Sequence, residues 1–211
     1  MNKRIVFAAA ALIAFAGPAV LAQTSTSTAS TPTTTTTPNS PAPGTAGVRK
    51  TDQQDRISNG VADGQLTPGE TKNLETKETG INQEERNMRS QDDGHLTAAD
   101  RTKLNNQQNH LSNQIYNDKH NAATDHFGNG EVGQRQKMQQ QRIAQGMKSG
   151  QLTAGESARL ERQQQGINRE KAGMREANGG KLSGGDKAQL NRQQNRASGN
   201  IYAKKHNAAK R

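Results

Sequence analysis

One pattern limits what this chain can become: a long segment is written twice, without a gap, at an offset of 86 residues. Arg56-Ile57 aligns with Arg142-Ile143, Gly80-Ile81-Asn82 with Gly166-Ile167-Asn168, and Gln107-Gln108-Asn109 with Gln193-Gln194-Asn195. The match runs on through Tyr116 and Tyr202 to Lys119-His120-Asn121 and Lys205-His206-Asn207. Within each copy an offset of 30 superimposes two loops, so the plan is two modules of two half-repeats. The four loops are Gly64-Gln65-Leu66-Thr67-Pro68-Gly69-Glu70, Gly94-His95-Leu96-Thr97-Ala98-Ala99-Asp100, Gly150-Gln151-Leu152-Thr153-Ala154-Gly155-Glu156 and Gly180-Lys181-Leu182-Ser183-Gly184-Gly185-Asp186. Each sets a hydroxyl residue three places before an acid: Thr67 and Glu70, Thr97 and Asp100, Thr153 and Glu156, Ser183 and Asp186. That is a capping box, in which the hydroxyl accepts from a first-turn N–H and the acid reaches back. Pro68 falls on a first helical position, where its missing N–H costs nothing. The glycine two residues before each Leu gives a tight bend.

Between the loops the pattern has helical period. Leu74, Ile81 and Met88 recur every seven residues, as do Leu104 and Leu111, followed by Ile115; the second copy has Leu160, Ile167, Met174 and Leu190, Ala197, Ile201. These spacings make one narrow apolar stripe per helix, with Gln, Asn, Lys, Arg and Glu assigned to the outer faces. Nothing alternates with period two, so the expected class is all-α. The predicted helices are 50–59, 68–89, 98–121, 134–146, 154–175 and 184–208. Gly80 and Gly166 fall midway along the second helix of each module and either kink it or split it.

Apolar residues make up 28% of the chain and aromatics 2%, which implies a thin core. In the first module the candidates are Ile57, Val61, Leu66, Leu74, Ile81, Met88, Leu96, Leu104, Leu111, Ile115 and Tyr116. With no cysteine, disulfides and thiolate chemistry are excluded. Residues 1–22 read as a secretory signal peptide, with Lys3 and Arg4, an apolar run from Ile5, and small residues before Gln23. Export to the periplasm or the extracellular space is therefore expected. Residues 23–47 are mostly Thr, Ser, Pro and Ala and read as a disordered spacer. The first helical module is then 48–124, a linker and first helix occupy 125–141, and the second module is 142–211.

The four loops resemble EF-hand calcium loops and the loop-plus-helix repeats of dockerins, having Gly at the sixth position, Leu at the eighth and an acid at the twelfth. The resemblance implies calcium ligands at the first, third and fifth positions as well. There the chain offers Asn59, Val61 and Asp63; Arg89, Gln91 and Asp93; Gln145, Met147 and Ser149; Arg175, Ala177 and Gly179. The third and fourth loops depart from the pattern too far to bind calcium in that manner. For the first two, the alternatives are pure capping or a weak calcium ion held by Asn59, Asp63 and Glu70, or by Asp92, Asp93 and Asp100. The repeated strings also resemble those of small exported bacterial proteins. A second metal candidate, read from residue type alone, joins His120 and His126 to Asp118 and Asp125 if the chain bends after Ala123. His95 and His110 face Lys181 and Arg196 in the other copy, so any multi-histidine site would belong to the first module.

The net charge is +10, and its distribution is uneven. Residues 48–124 carry 10 basic and 12 acidic side chains; residues 142–211 carry 15 and 5. The second module therefore points to a polyanion or an acidic protein partner, through Arg159, Arg162, Arg169, Lys171, Arg175, Arg192, Arg196, Lys204 and Lys205. Without stacking aromatics, specific nucleic-acid reading is not expected. Charge opposition between modules also allows head-to-tail self-association. No nucleophile with a neighbouring base and no phosphate cradle stands out, so the expectation is a non-enzymatic binding or scaffolding protein of the bacterial envelope or exterior. The alternative is a weak calcium binder.

Overall fold

Among the described residues, six helices form where the four loops and the apolar periodicity place them. They are α1 (Ala46–Ala62), α2 (Pro68–Gln91), α3 (Ala98–Lys119), α4 (Glu131–Lys148), α5 (Ala154–Ala177) and α6 (Gly184–Lys205). This computed structural model describes residues 46–210; the expected leader at 1–22 and nearly all of the spacer at 23–47 lie outside the described residues. Among the described residues there is no strand, and no helix is long and apolar enough to cross a membrane. Helices α2 and α5 pass through Gly80 and Gly166 unbroken, so neither glycine splits its helix.

All four capping boxes are formed. The Thr67 hydroxyl accepts from Glu70 N, while the Glu70 carboxylate accepts from Thr67 N at 2.9 Å and from the Thr67 hydroxyl at 2.7 Å. Thr97 with Asp100, Thr153 with Glu156 and Ser183 with Asp186 repeat the arrangement. Gly64, Gly94, Gly150 and Gly180 take φ of 70–86°, the left-handed region that the bend before each Leu needs. Helices α1 and α4 run longer than predicted at both ends, α1 beginning at Ala46 inside the expected spacer, and their C-terminal ends close on themselves. Leu66 N donates to Gly60 O and Leu152 N to Gly146 O, each at 3.0 Å, which folds the leucine back onto the last turn. A Cβ at Gly60 would stand 2.8 Å from the Leu66 side chain, and one at Gly146 would stand 2.7 Å from Leu152. Glycine is what lets the leucine sit there.

The two modules pack on each other, α2 along α5 and α1 along α4, with α3 and α6 flanking their own modules. The α2–α5 contact is reciprocal. Gly69 lies against Gln165, and its equivalent Gly155 lies against Thr79, the equivalent of Gln165. Such a contact, made twice with the roles exchanged, is that of an isologous two-fold interface, here inside one chain. Halfway between the two contacts fall Leu74 and Leu160, both buried in one cluster that also holds Ile57, Ile115, Ile143, Met147 and Ile201. A smaller cluster of Val132, Ile167, Leu190 and Ala197 lies within the second module. Tyr116, expected in the core, is 43% exposed; its ring stacks on His120 instead.

The outer-face assignment of the glutamines needs correcting. Gln53, Gln54, Gln108, Gln136, Gln139, Gln140, Gln164 and Gln194 are buried, as are Glu75, Glu78 and Glu161. The glutamine amide nitrogens bond another amide, a carboxylate or the backbone, while the side-chain oxygens of Gln53, Gln54, Gln108, Gln164 and Gln194 are buried without a hydrogen-bond partner among the described residues. The Gln53 amide donates to Gln108 O and Ser112 Oγ, and Gln139 donates to Gln194 O and Ser198 Oγ, at 2.7 and 2.8 Å in both modules. Gln54 donates to Glu75, and Gln140 to Glu161. A narrow apolar stripe is thus widened by a polar seam that binds α1 to α2 and α3, and α4 to α5 and α6.

Candidate functional site

The basic residues singled out from the sequence divide into two groups. Arg159, Arg162 and Arg169 on α5, and Arg192 and Arg196 on α6, are exposed. None of the four ion pairs among the described residues uses them, and three of those four lie in the first module. Their spacings, three and seven along α5 and four along α6, put each set on one helix face. These side chains make the open cationic surface of the second module. The first module answers at the corresponding positions with Asn73, Thr76, Gln83, Asn106 and His110.

The other basic residues serve the fold as well. Lys171 is half-buried; its amine donates to Gln136 and lies beside Asp125, and burial pulls its pKa below the ordinary lysine value. The Arg175 Nε donates to Gly180 O at 2.9 Å, bracing the loop before α6. Lys204 reaches Glu156 at 3.8 Å, and Lys205 donates to Gln145 while its stem covers Gly146.

Two of the capping acids, Glu70 and Glu156, have little left to offer a metal. On Glu70, one carboxylate oxygen takes both Thr67 donors and the other accepts from Asn121 at 2.6 Å. Glu156 is engaged by Thr153 and Asn207 in the same way. This explains the repeated Tyr-x-x-Lys-His-Asn string, which clasps the end of α3 or α6 to the capping acid of its own module. Its His bonds the Tyr carbonyl through Nδ1 at 2.7 Å and stacks on the Tyr ring. Asn59 and Asp63 are exposed and Asp93 sits at φ 50°. Asp92 faces Asp100 where the second module has Asn178 donating to Asp186. The histidine candidates are also dispersed: His126 bonds Thr124, Asp118 bonds Gln114, Asp125 bonds Asn168, and His95 and His110 are exposed. Among the described residues, no three His, Asp or Glu side chains come together as a metal-holding group.

Two acids are electrostatically unusual: Glu161, which sequence reasoning missed, and Asp125, which it named only as a metal candidate. Glu161 is fully buried, and desolvation, only partly offset by the Gln140 amide, raises its carboxyl to about 8. Asp125 is raised to about 6 by burial, against the opposing pull of Lys171 and Asn168. Gln53, Gln54, Glu75 and Gln108 of the buried set are unchanged in the second copy, but so are the exposed Asn109, Tyr116 and His120, and identity between the copies did not by itself mark burial. Open concavities also exist that the narrow stripe gave no reason to expect. One, of about 400 Å³, is lined by Lys50, Gln54, Glu85 and Lys210; another, of about 470 Å³, lies at one end of the second module. In comparisons with protein families, with curated proteins and with solved structures, no match to this chain was found.

Proposed function

We propose that this is an exported, non-enzymatic binding protein whose second module contacts an anionic partner of the envelope or the extracellular space. The observation that carries the reading is an internal control: one backbone plan is built twice, and at five positions where the second copy exposes an arginine outside any described ion pair the first has Asn, Thr, Gln, Asn and His. A surface added only for solubility needs no such concentration of one sign. Guanidinium groups suit phosphate, sulfate and carboxylate because their planar donors pair two oxygens at once. Release of counterions from a polyanion would supply the affinity and make it fall steeply with salt.

Because one apolar cluster spans both modules, the test uses the whole protein rather than its halves. Reversing Arg159, Arg162, Arg192 and Arg196 to Glu should roughly halve the salt needed to elute the protein from heparin. Reversing Lys72, Lys77, Arg86 and Arg101 makes the same change of charge in the first module and should move elution far less. Equal shifts, or no retention of the unaltered protein, would overturn the reading.

A further inference from the structure

The cavity at the end of the second module differs from the open arginine surface in having a partly apolar lining. Phe127, Val132 and Leu182 supply the large apolar side chains of its lining, and Lys171, Arg175, Lys181 and Lys187 the cations. Lys181 and Lys187 are exposed and enter no ion pair among the described residues. The start of α4, Gly130 to Gly133, forms another wall. Its N-cap makes no side-chain hydrogen bond, whereas α2, α3, α5 and α6 all open on a capping box. The one acid on the lining is Glu131. The corresponding positions of the first module do not repeat the set, for Glu85 stands where Lys171 is and pairs with Lys50 and Arg89.

A plain polyanion would satisfy the cations and leave the apolar side chains wet; a neutral apolar ligand would do the reverse. On the reading that this module meets anions, the geometry points to a binding site for a single-chain anionic amphiphile. Its tail lies on Phe127, Val132 and Leu182, and its headgroup faces Lys181, Lys187 and Arg175. The cations of the lining specify the head, and its apolar side chains specify the tail. A cavity of about 470 Å³ is within the range of small-molecule sites and takes one chain. It is concave, which suits a free amphiphile better than a bilayer surface.

The probe is laurate, below the concentration at which it forms micelles, titrated calorimetrically into the protein, with acetate as the headgroup control. Laurate should bind saturably with one site, and acetate should give at least tenfold weaker binding. K181A/K187A, which alters only exposed side chains, should weaken laurate at least tenfold. L182S should weaken it similarly while leaving heparin elution unchanged; its far-ultraviolet circular dichroism reports whether the fold is kept. Absence of laurate binding with heparin retention intact would sink this site and leave the polyanion reading standing. Laurate binding without heparin retention would do the opposite. Association with anionic vesicles but not with laurate, or unaltered laurate affinity in K181A/K187A, would also overturn the site.

Discussion

The two modules share their caps, their bends and most of their glutamine seam and leucine positions, yet differ at several charged positions beside that seam. In the first, Lys50, Glu85 and Arg89 form a paired cluster over Glu78 and Asn82. In the second, the corresponding residues are Gln136, Lys171 and Arg175, and Asp125 from the connecting segment lies beside Asn168 and Lys171. One backbone therefore accommodates different charge patterns at this site, because its helices are fixed by capping boxes and buried contacts that both modules keep. The surface was free to diverge once the frame was duplicated.

The sharpest way to break this comparison is at the point where the halves meet. Leu74→Ala and Leu160→Ala each empty a buried position at the centre of the α2–α5 contact, and each should cost about 2–5 kcal/mol. Two equivalent positions of a two-fold interface should lose similar amounts. As neighbours they should also fail to add in the double variant. Urea unfolding of the three proteins tests this. A large cost at one leucine and almost none at the other would show that the symmetry is one of sequence and not of packing.

A smaller effect is read by pH. Glu161 is raised to about 8 from an ordinary value near 4.5, so the folded state holds a proton there that the unfolded chain gives up. Its contribution to stability is full below about pH 4.5, declines as pH rises toward 8 and is flat above. Asp125, raised to about 6, acts in the same direction between about 4 and 6. Glu84, Glu85, Asp100, Glu156 and Asp186 are held below their usual values, and whatever stability they add is lost as pH falls below about 4.5. The melting temperature should therefore peak near pH 5. Glu161→Gln keeps the acceptor for Gln140 and removes the titration. It should abolish most of the decline between pH 5 and 8 and stabilise the protein by a few kcal/mol at pH 8. A melting profile that rises from pH 5 to 8, or one that Glu161→Gln leaves unaltered, would refute the assignment.

What was legible in the sequence was whatever repeats with a chemical reason. Thr67 with Glu70 announces a helix start, Gly64 before Leu66 announces a bend, and Leu74-Ile81-Met88 announces a buried stripe. The class, six helices and most of their ends followed. The glutamine seam did not, because a glutamine at a buried helical position has the same local signature as one in solvent; only its partner on another helix, such as Ser112 for Gln53, decides. The α2–α5 contact was hidden for a similar reason, since duplication reveals that two modules exist but not which faces they join. In the candidate site, the arginines of α5 and α6 were readable as charge. The involvement of Lys171, Lys204 and Lys205 in the fold depended on Gln136, Glu156 and Gln145, neighbours that come into contact only once the chain has folded.

The glycines give the finest test, since the sequence treats them alike and the structure does not. At Gly60 and Gly146 a methyl group would press into Leu66 and Leu152 at 2.8 and 2.7 Å, and each Gly→Ala change should cost about 1–3 kcal/mol. At Gly80 and Gly166, each inside a continuous helix, a Cβ would meet nothing within 4 Å. There Gly→Ala should stabilise by about 1 kcal/mol, because alanine loses less backbone entropy on entering a helix and no neighbour has to move. The four single variants need only thermal melts at one pH. If Gly80→Ala and Gly166→Ala were to destabilise instead, α2 and α5 would require a bend there that an unbroken helix does not have.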